Sequence, residues 1–367
     1  MKEIKTATIT FHKAINYGAI LQTYALQQSI FNLNINNKII DYDCKYISNE
    51  YKLINTASIK GFIKSIILMK DFYYKRKNFE RFIKKHIVLT NPVDKSILNG
   101  EIFNDEYNFF ITGSDQVWNY EITNFDDAYF LNFVKDKRKI KSYAASFGIN
   151  YIPENLKLRY KKYLEAFSTI LVREKTGSEI VENLINTKVN IVLDPVFLVN
   201  KDKWNEIASK TKFDNIKNKY ILIYMGTPAI KLFAEKLAAK YKLPIIYISD
   251  LVLKKKNRIG KIEARLGPEE FVSAIKNAKF VLTASFHATA FSIIFNKEFF
   301  ININSEGKAR GSRLIDVLNL LEINNREISS GERIEEFNSL NWENINKKLE
   351  IEKQRSIKLL KRMLSIE

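Results

Sequence analysis

Short, uniformly apolar runs recur along this chain, each closed by a polar turn and followed by a stretch whose apolar residues return at helical spacing. The first instance runs from Ile4 to Phe11, through Ala19 to Ile30, to Lys38-Ile39-Ile40-Asp41-Tyr42-Asp43. Ile20, Leu21, Tyr24 and Ala25 carry the helical spacing of its middle segment. Strands that are apolar on both faces need cover on both faces, and a strand that restarts after a helix crosses over right-handedly to lie parallel to its predecessor. Further strands are expected at Asn108 to Thr112, Ile140 to Ala145, Thr169 to Val172 and Asn190 to Leu193. Beyond Asp194-Pro195 a polar, lysine-rich segment marks a boundary at about 195–215. The alternation then restarts, with strands at 220–224, 244–248, 279–283 and 298–303 and helices at 230–241, from Gly267-Pro268-Glu269-Glu270, at 288–295 and at 311–321. The fold class is therefore α/β, two Rossmann-like domains facing a cleft. The first spans 1–200 with a basic helical insertion at about 56–90, and the second spans 201–335. A helix within 336–367, with Ile345, Leu349, Leu360 and Leu364 along one side, is expected to return to the first domain.

Composition narrows the function classes. A length of 367 residues exceeds what one core usually serves, and an apolar fraction of 46% is ample for two. No apolar run approaches the ~20 residues needed to span a bilayer. Met1-Lys2-Glu3-Ile4-Lys5 leads straight into a strand without the apolar block of a signal peptide, so a cytoplasmic location is expected. One cysteine, Cys44, excludes an intramolecular disulfide and a thiolate metal cluster. The net charge of +18 comes from lysine spread through a chain rich in Lys, Ile and Asn, with no zinc finger or aromatic RNA-binding strand motif, so no nucleic-acid partner is expected. The charge concentrates between Lys60 and Lys85. There Phe62, Ile63, Ile66, Ile67 and Met69 form an apolar stripe ahead of Phe72-Tyr73-Tyr74-Lys75-Arg76-Lys77 and Arg81-Phe82-Ile83-Lys84-Lys85. Such a helix suits peripheral contact with an anionic membrane, or packing on its own domain.

Several loops after strands carry chemistry. In Val281-Leu282-Thr283-Ala284-Ser285-Phe286-His287-Ala288, a strand breaks into a turn that holds one of only three histidines at the mouth of a helix. His287 is either a proton-transfer group or a satisfied core histidine. Asn16-Tyr17-Gly18 offers a helix N-terminus to an anion, yet Gly18 stands alone where a dinucleotide fingerprint needs three glycines. Asp41-Tyr42-Asp43 has the spacing of a metal-holding Asp-x-Asp pair, or simply ends a strand. Gly113-Ser114-Asp115-Gln116-Val117-Trp118-Asn119 puts many polar groups after a buried strand, with Asp115 either a proton acceptor or a cap. Arg173 in Val172-Arg173-Glu174 carries a fork that suits carboxylate or phosphate, or pairs structurally with Glu174. Arg310 and Arg313 open another helix. Two arginine loops and a histidine at strand ends describe a site for a small, doubly anionic substrate. No Walker pattern and no Gly-x-Ser-x-Gly elbow is present.

With these residues assembled, the chain resembles the polysaccharide pyruvyl transferase family. The resemblance is carried by Asn16-Tyr17-Gly18-Ala19, Gly113 to Asn119, Ser142-Tyr143-Ala144-Ala145-Ser146-Phe147-Gly148 and Val172-Arg173-Glu174. Leu193-Asp194-Pro195, Gly267-Pro268-Glu269-Glu270-Phe271, Ser285 to Ser292 and the Arg313 helix complete it, in family order. It implies a fold like the B-type glycosyltransferases, with the acceptor on the first domain and the donor on the second, beside His287 and Arg313. It also implies transfer of the pyruvyl skeleton of phosphoenolpyruvate onto a sugar of a cell-surface polysaccharide precursor, giving a pyruvate ketal and phosphate. Phosphoenolpyruvate is then the donor substrate, no cofactor or metal is called for, and the glycan acceptor is lipid-linked or activated in the cytoplasm at the inner face of the membrane. His287 and Asp115 become the proton-transfer pair, while Arg173, Arg313, Ser285, Asn16 and Gly18 become substrate-binding residues. Two positions depart from the pattern: Ala288 stands where glycine is expected, and Ala19 where many relatives carry an aspartate. Two rival readings share parts of this pattern, a B-type glycosyltransferase using a nucleotide sugar and a non-catalytic scaffold at the membrane surface.

Overall fold

A computed structural model describes residues 4–50, 59–249, 259–303, 308–328 and 338–365, apart from the side chains of 48–50, 59–69, 102 and 308–310. The apolar stripe Phe62 to Met69 and the Arg310 side chain thus lie outside the described residues. The chain divides into two compact units, Met1–Tyr51 with His86–Val199 and Lys347–Glu367, and Lys52–Lys85 with Asn200–Asn346.

The first unit is built on a sheet of seven parallel strands. These are β1 (Lys5–Ile9), β2 (Asn36–Tyr42), β3 (Leu89–Val93), β4 (Phe109–Thr112), β5 (Ile140–Ala145), β6 (Thr169–Val172) and β7 (Asn190–Ile191). Their order is β3-β2-β1-β4-β5-β6-β7. The chain order reverses direction between β1 and β4, whose registers align Thr6 with Phe109 and Ile9 with Thr112. Ligands of open parallel sheets gather at the carboxyl ends beside such a switch point. Inside this sheet the Asn37 side-chain amide ties two neighbouring residues together, Nδ2 donating to Thr6 Oγ1 at 2.8 Å and to Thr8 Oγ1 at 2.9 Å. At the far edge, the C-terminal helix Trp342–Met363 meets the backbone of β7. Leu193 N donates to Ser356 Oγ at 3.0 Å and Arg355 Nη2 to Ile191 O at 2.8 Å, so residues from 347 onward belong to this unit and blunt an open strand edge.

The second unit carries five parallel strands, β8 (Ile221–Tyr224), β9 (Ile245–Ile248), β10 (Lys261–Glu263), β11 (Phe280–Thr283) and β12 (Glu298–Ile301), in the order β10-β9-β8-β11-β12. The basic insertion, a helix over Ile59–His86, corrects the sequence reading: its residues up to Lys85 group with this unit and not with the first domain. Asp71 pairs with Arg265, Asn78 Nδ2 donates to Arg265 O at 2.7 Å, and Lys85 meets Glu269 at 2.8 Å. Asp71, Asn78 and Lys85 are spaced by seven residues and share one helical face. That polar face docks on the start of the helix Pro268–Asn277, and Gly267 is needed there because a Cβ would come within 2.9 Å of Asn78 Cβ.

One aromatic cluster anchors the polar loop after β4. Trp118 is fully buried, stacked on Phe130 with ring centroids 6.0 Å apart and packed against Phe147 and Phe167 at 5.2 and 5.4 Å. Its Nε1 donates to Tyr129 O at 3.3 Å, and Tyr160 Oη donates to Trp118 O at 2.6 Å. Trp118→Ala is expected to lower unfolding stability by about 3–5 kcal/mol, read by chemical denaturation. A loss below about 1 kcal/mol would show that the loop is held by other means.

Candidate functional site

The carboxyl ends of β4, β5, β6 and β7 meet in one ionic network. Gly113, at φ 117°, opens the loop after β4 where a Cβ would strike Tyr143 O, and Asp115 follows at φ 75°. This backbone lets Asp115 pair as an extra bridge with Ala145, and Ser146 N donates to Asp115 O at 2.9 Å. The Arg173 side chain is 1% exposed, with Nη1 donating to Asp194 Oδ2 at 2.7 Å, Nη2 to Asp115 Oδ1 at 3.4 Å, and Nε lying 3.6 Å from Glu174 Oε2. Burial opposes the charge of Arg173, but Asp194, Asp115 and Glu174 outweigh it and push its proton affinity up. Glu174 is held in turn by Ser146 Oγ at 2.7 Å, and Ser114 Oγ donates to Asp194 Oδ2 at 3.3 Å. Thr10 Oγ1 donates to Ser114 O at 3.1 Å, which ties the end of β1 to the same body. Asp115 sits at the rim, with 11% of its side chain exposed.

This geometry bears on two expected roles. The Asp115 carboxylate accepts from the next residue's amide, Gln116 N, at 2.9 Å and from Arg173 Nη2 at 3.4 Å, with part of the side chain at the surface. Arg173 differs from its expected role: its fork is spent on Asp194 and Asp115, which leaves it a positioning residue and no open anion site. Asn16 and Gly18 lie in and before the first turn of the helix Tyr17–Phe31, where Asn16 Oδ1 accepts from Ala19 N at 3.2 Å and so caps the helix. Asn16 is exposed and Gly18 buried.

Beside this helix stands a pair that sequence reading passed over. His12, 1% exposed, places Nε2 3.0 Å from Asp41 Oδ1 and Nδ1 3.3 Å from Thr10 O. Lys13 Nζ lies 2.7 Å from the same carboxylate. Asp41 thus faces His12 and Lys13 on the same carboxylate oxygen. Among the described residues, no group of three or more His, Cys, Asp or Glu could hold a metal ion. The available signal was the polar Thr10-Phe11-His12-Lys13 directly after β1.

In the second unit, Ser285 caps the helix Phe286–Ile294, accepting from Ala288 N at 3.4 Å, and Thr289 Oγ1 donates back to Ser285 O at 3.0 Å. Ser285 N donates to Thr283 Oγ1 at 3.0 Å, and Thr283 Oγ1 donates to Tyr224 O at 2.7 Å, fixing the turn to β8 and β11. His287 rides in the first helical turn, 8% exposed and edge-on to Phe286. A helix N-terminus with its amides and positive end is a ready anion site. Thr227, capping the helix Pro228–Tyr241, donates to Asn302 Oδ1 at 2.7 Å at the same edge of the sheet. Arg313 is buried on the helix Lys308–Leu321, which packs beside the His287 helix.

Two predictions follow from the first unit. Asp41 is held at about 2 against an ordinary 3.8, first by the His12 hydrogen bond and then, against the cost of burial, by Lys13. A depressed carboxylate stabilises the fold above the unfolded value of about 3.9 and loses that contribution as pH falls toward 2. The carboxyl carbon resonance of Asp41 should therefore titrate near 2, and His12→Ala should move its midpoint upward; an unmoved midpoint would remove His12 as the cause. Arg173→Lys, which keeps the charge but loses the fork, should lower stability by about 3 kcal/mol in denaturant. An unchanged stability with a raised KM would instead make Arg173 a ligand contact.

Comparison with known proteins gives a family and a fold. The sequence profile of the family described as polysaccharide pyruvyl transferase matches residues 16–305, a span that holds the Asp115 loop, Arg173 and the His287 helix and stops short of Arg313. No curated protein matches the chain. A putative UDP-N-acetylglucosamine 2-epimerase from Listeria monocytogenes superposes with a TM-score of 0.51 at 10% identity, covering 97% of this chain and 91% of that one. UDP-GlcNAc 2-epimerase from Methanocaldococcus jannaschii gives 0.50 at 14% identity over 100% of both chains. S. aureus MnaA, in a structure with UDP, gives 0.50 at 13% identity over 100% of this chain and 98% of the other. At these identities the likeness is one of fold, a pair of Rossmann-like sheets in the manner of the B-type glycosyltransferases.

Proposed function

We propose, for a chain that belongs to the polysaccharide pyruvyl transferase family, transfer of the pyruvyl group of phosphoenolpyruvate to two hydroxyls of a sugar in a cell-surface polysaccharide precursor. The observation that carries this reading is the family match across residues 16–305, which takes in chemistry-bearing loops of both units. Charge supports a division of labour. At the strand ends of the first unit Asp41 and Asp115 keep 12% and 11% of their side chains exposed and can accept hydrogen bonds from sugar hydroxyls, while Glu174 and Asp194 are buried against Arg173. The strand ends of the second unit present Thr227, Ser285, His287 and Asn302 with a helix N-terminus, and Arg313 lies on the next helix. The donor belongs with this second set, its phosphate and carboxylate met by Arg313 and by amides after Ser285.

In this mechanism His287 gives a proton to the methylene carbon of phosphoenolpyruvate, which becomes the methyl group and leaves an oxocarbenium-like centre. One sugar hydroxyl adds to that carbon while Asp115 takes its proton. The carbon–oxygen bond to phosphate breaks, the second hydroxyl adds, and its proton leaves with the phosphate. The proton held by Asp115 passes to solvent and His287 takes one back, so donor and diol become ketal and inorganic phosphate with both groups restored. On this reading Asp115 takes the proton-accepting role, since Ala19 carries no carboxylate. No helix among the described residues is long and apolar enough to cross a membrane. Contact with the inner membrane face, where a lipid-linked acceptor would sit, draws support from the net charge of +18. On the second unit Lys297 is lowered to about 8, by burial first and then by the crowding of Lys217, Lys201, Lys279 and Lys276.

Thermal unfolding with phosphoenolpyruvate titrated against a panel of nucleotide sugars tests the donor. Saturation at 100 times Kd should stabilise by about 2.7 kcal/mol. Arg313→Ala should abolish that shift, and His287→Ala should keep the fold while lowering kcat by about 10²–10⁴-fold. Stabilisation by a nucleotide sugar alone would make the chain a glycosyltransferase instead.

A further inference from the structure

A cavity of about 760 Å³ opens at the carboxyl ends of β2 and β3 in the first unit, apart from the Asp115 network. Its walls come from three loops: the one after β2, the one after β3, and Thr123 to Asp127 with Arg159. On a chain with 59 basic and 41 acidic residues, this lining reverses the balance, with Asp43, Asp94, Asp126 and Asp127 set against Lys45, Lys95 and Arg159. The two carboxylates of its floor are held in place. Tyr42 Oη donates to Asp126 Oδ2 at 2.7 Å, and Lys95 Nζ lies 3.1 Å from Asp126 and 2.9 Å from Asp127. Each carboxylate offers about four lone-pair sites, so acceptor capacity remains after these contacts. At the rim the Tyr46 ring is 45% exposed, a flat apolar face beside a polar floor.

The backbone here is held in a demanding conformation. Asn124 and Phe125 both take left-handed angles, φ 48° and 54°, which is unusual for a bulky side chain. The Phe125 ring is clamped by the Arg159 guanidinium at 4.1 Å and by Tyr160 at 4.6 Å. Strain of this kind persists where the surroundings over-determine it, and it gathers at binding sites.

The lining carries four carboxylates against three basic groups, and Lys95 is held by Asp126 and Asp127, so its charge favours a neutral ligand over a phosphate. Fixed carboxylates next to an exposed aromatic ring match a neutral sugar, whose hydroxyls donate to the carboxylates while its C–H face covers the ring. The sheet order places β1 between β2 and β4, so the cavity lies two strand spacings from the Asp115 loop, about 10 Å. That exceeds the reach of one sugar ring. We propose that this cavity is a subsite for a neutral sugar residue of the acceptor glycan, one or two residues removed from the sugar that receives the pyruvyl group. The assignment rests on the pyruvyl-transfer reading for what reacts, but the binding itself does not depend on it. The acceptor is then an oligosaccharide or longer, and free monosaccharides are poor substrates.

The test is ligand-observed NMR of the whole chain with methyl glycosides and neutral di- to tetrasaccharides, alongside the phosphoenolpyruvate melting shift. Tyr46→Ala and Asp127→Asn alter surface side chains, and circular dichroism verifies their folds. Expected are affinity that rises from mono- to tetrasaccharide, a loss of about tenfold in each variant, and an unchanged phosphoenolpyruvate shift. If no neutral saccharide binds, or if both variants bind as the parent does, the subsite is overturned. Sugar binding that responds to both variants, without any phosphoenolpyruvate shift, supports the subsite and overturns the pyruvyl reading instead.

Discussion

Arg173 holds together the active end of the first unit. Asp115, Arg173 with Glu174, and Asp194 arrive from the ends of three different strands, and Ser146 joins them from a fourth. Three carboxylates gathered at low exposure would repel one another and resist burial. A guanidinium between them removes both objections, and only arginine has the planar fork to face several carboxylates at once. The network turns four separate loops into one rigid body, so the direction in which Asp115 points is set by residues up to 79 positions away.

That placement has a consequence for charge. With its arginine enclosed by acids, the first unit has little to offer a doubly anionic donor. Its strand ends bring Asp115 to the edge of that network, Asp41 against His12 and Asp126 against Tyr42. The strand ends of the second unit are made of hydroxyls, amides, a helix N-terminus and His287. The seven-stranded and five-stranded sheets share the order of their five matching strands but differ in the groups at their strand ends. This asymmetry supports giving the acceptor to one and the donor to the other.

Much of the scaffold was legible because parallel strands are apolar on both faces. The runs at Phe109, Ile140, Thr169, Ile221, Ile245 and Phe280 announce themselves by composition alone. The two strands that went unread, β3 and β10, are both sheet edges. β3 contains Asn91-Pro92, and an edge is where a sheet tolerates proline; β10 has three residues, too few to show a period. The basic helix buries Phe79 and Phe82, and its attachment also includes Asp71, Asn78 and Lys85, polar residues whose partners lie some 180 to 195 positions away in sequence. The site loops were found where strand ends become polar. Arg173 was expected to face a substrate anion or to pair with Glu174; the Glu174 contact is present, but the shortest one is to Asp194, which no local sequence feature announces. His12 was hidden by its place inside a polar turn, where nothing local distinguishes it from a cap.

The two ends of the proposed acceptor path share one support. Trp118, three residues after Asp115, stacks on Phe130 with planes 8° apart, and Phe130 stacks on Phe125 at 5.2 Å with planes 17° apart. Phe125 is the residue whose left-handed backbone shapes the cavity wall. Energy from binding a remote sugar helps the chemical step only if it is delivered to the reacting hydroxyl without being dissipated in loop motion. An aromatic column from the cavity wall to the Asp115 loop meets that requirement, because interiors packed in this way transmit displacement and do not absorb it. The strain at Asn124 and Phe125 and the burial of Trp118 then have a common reason: both keep the distance from the remote sugar to the proton acceptor constant.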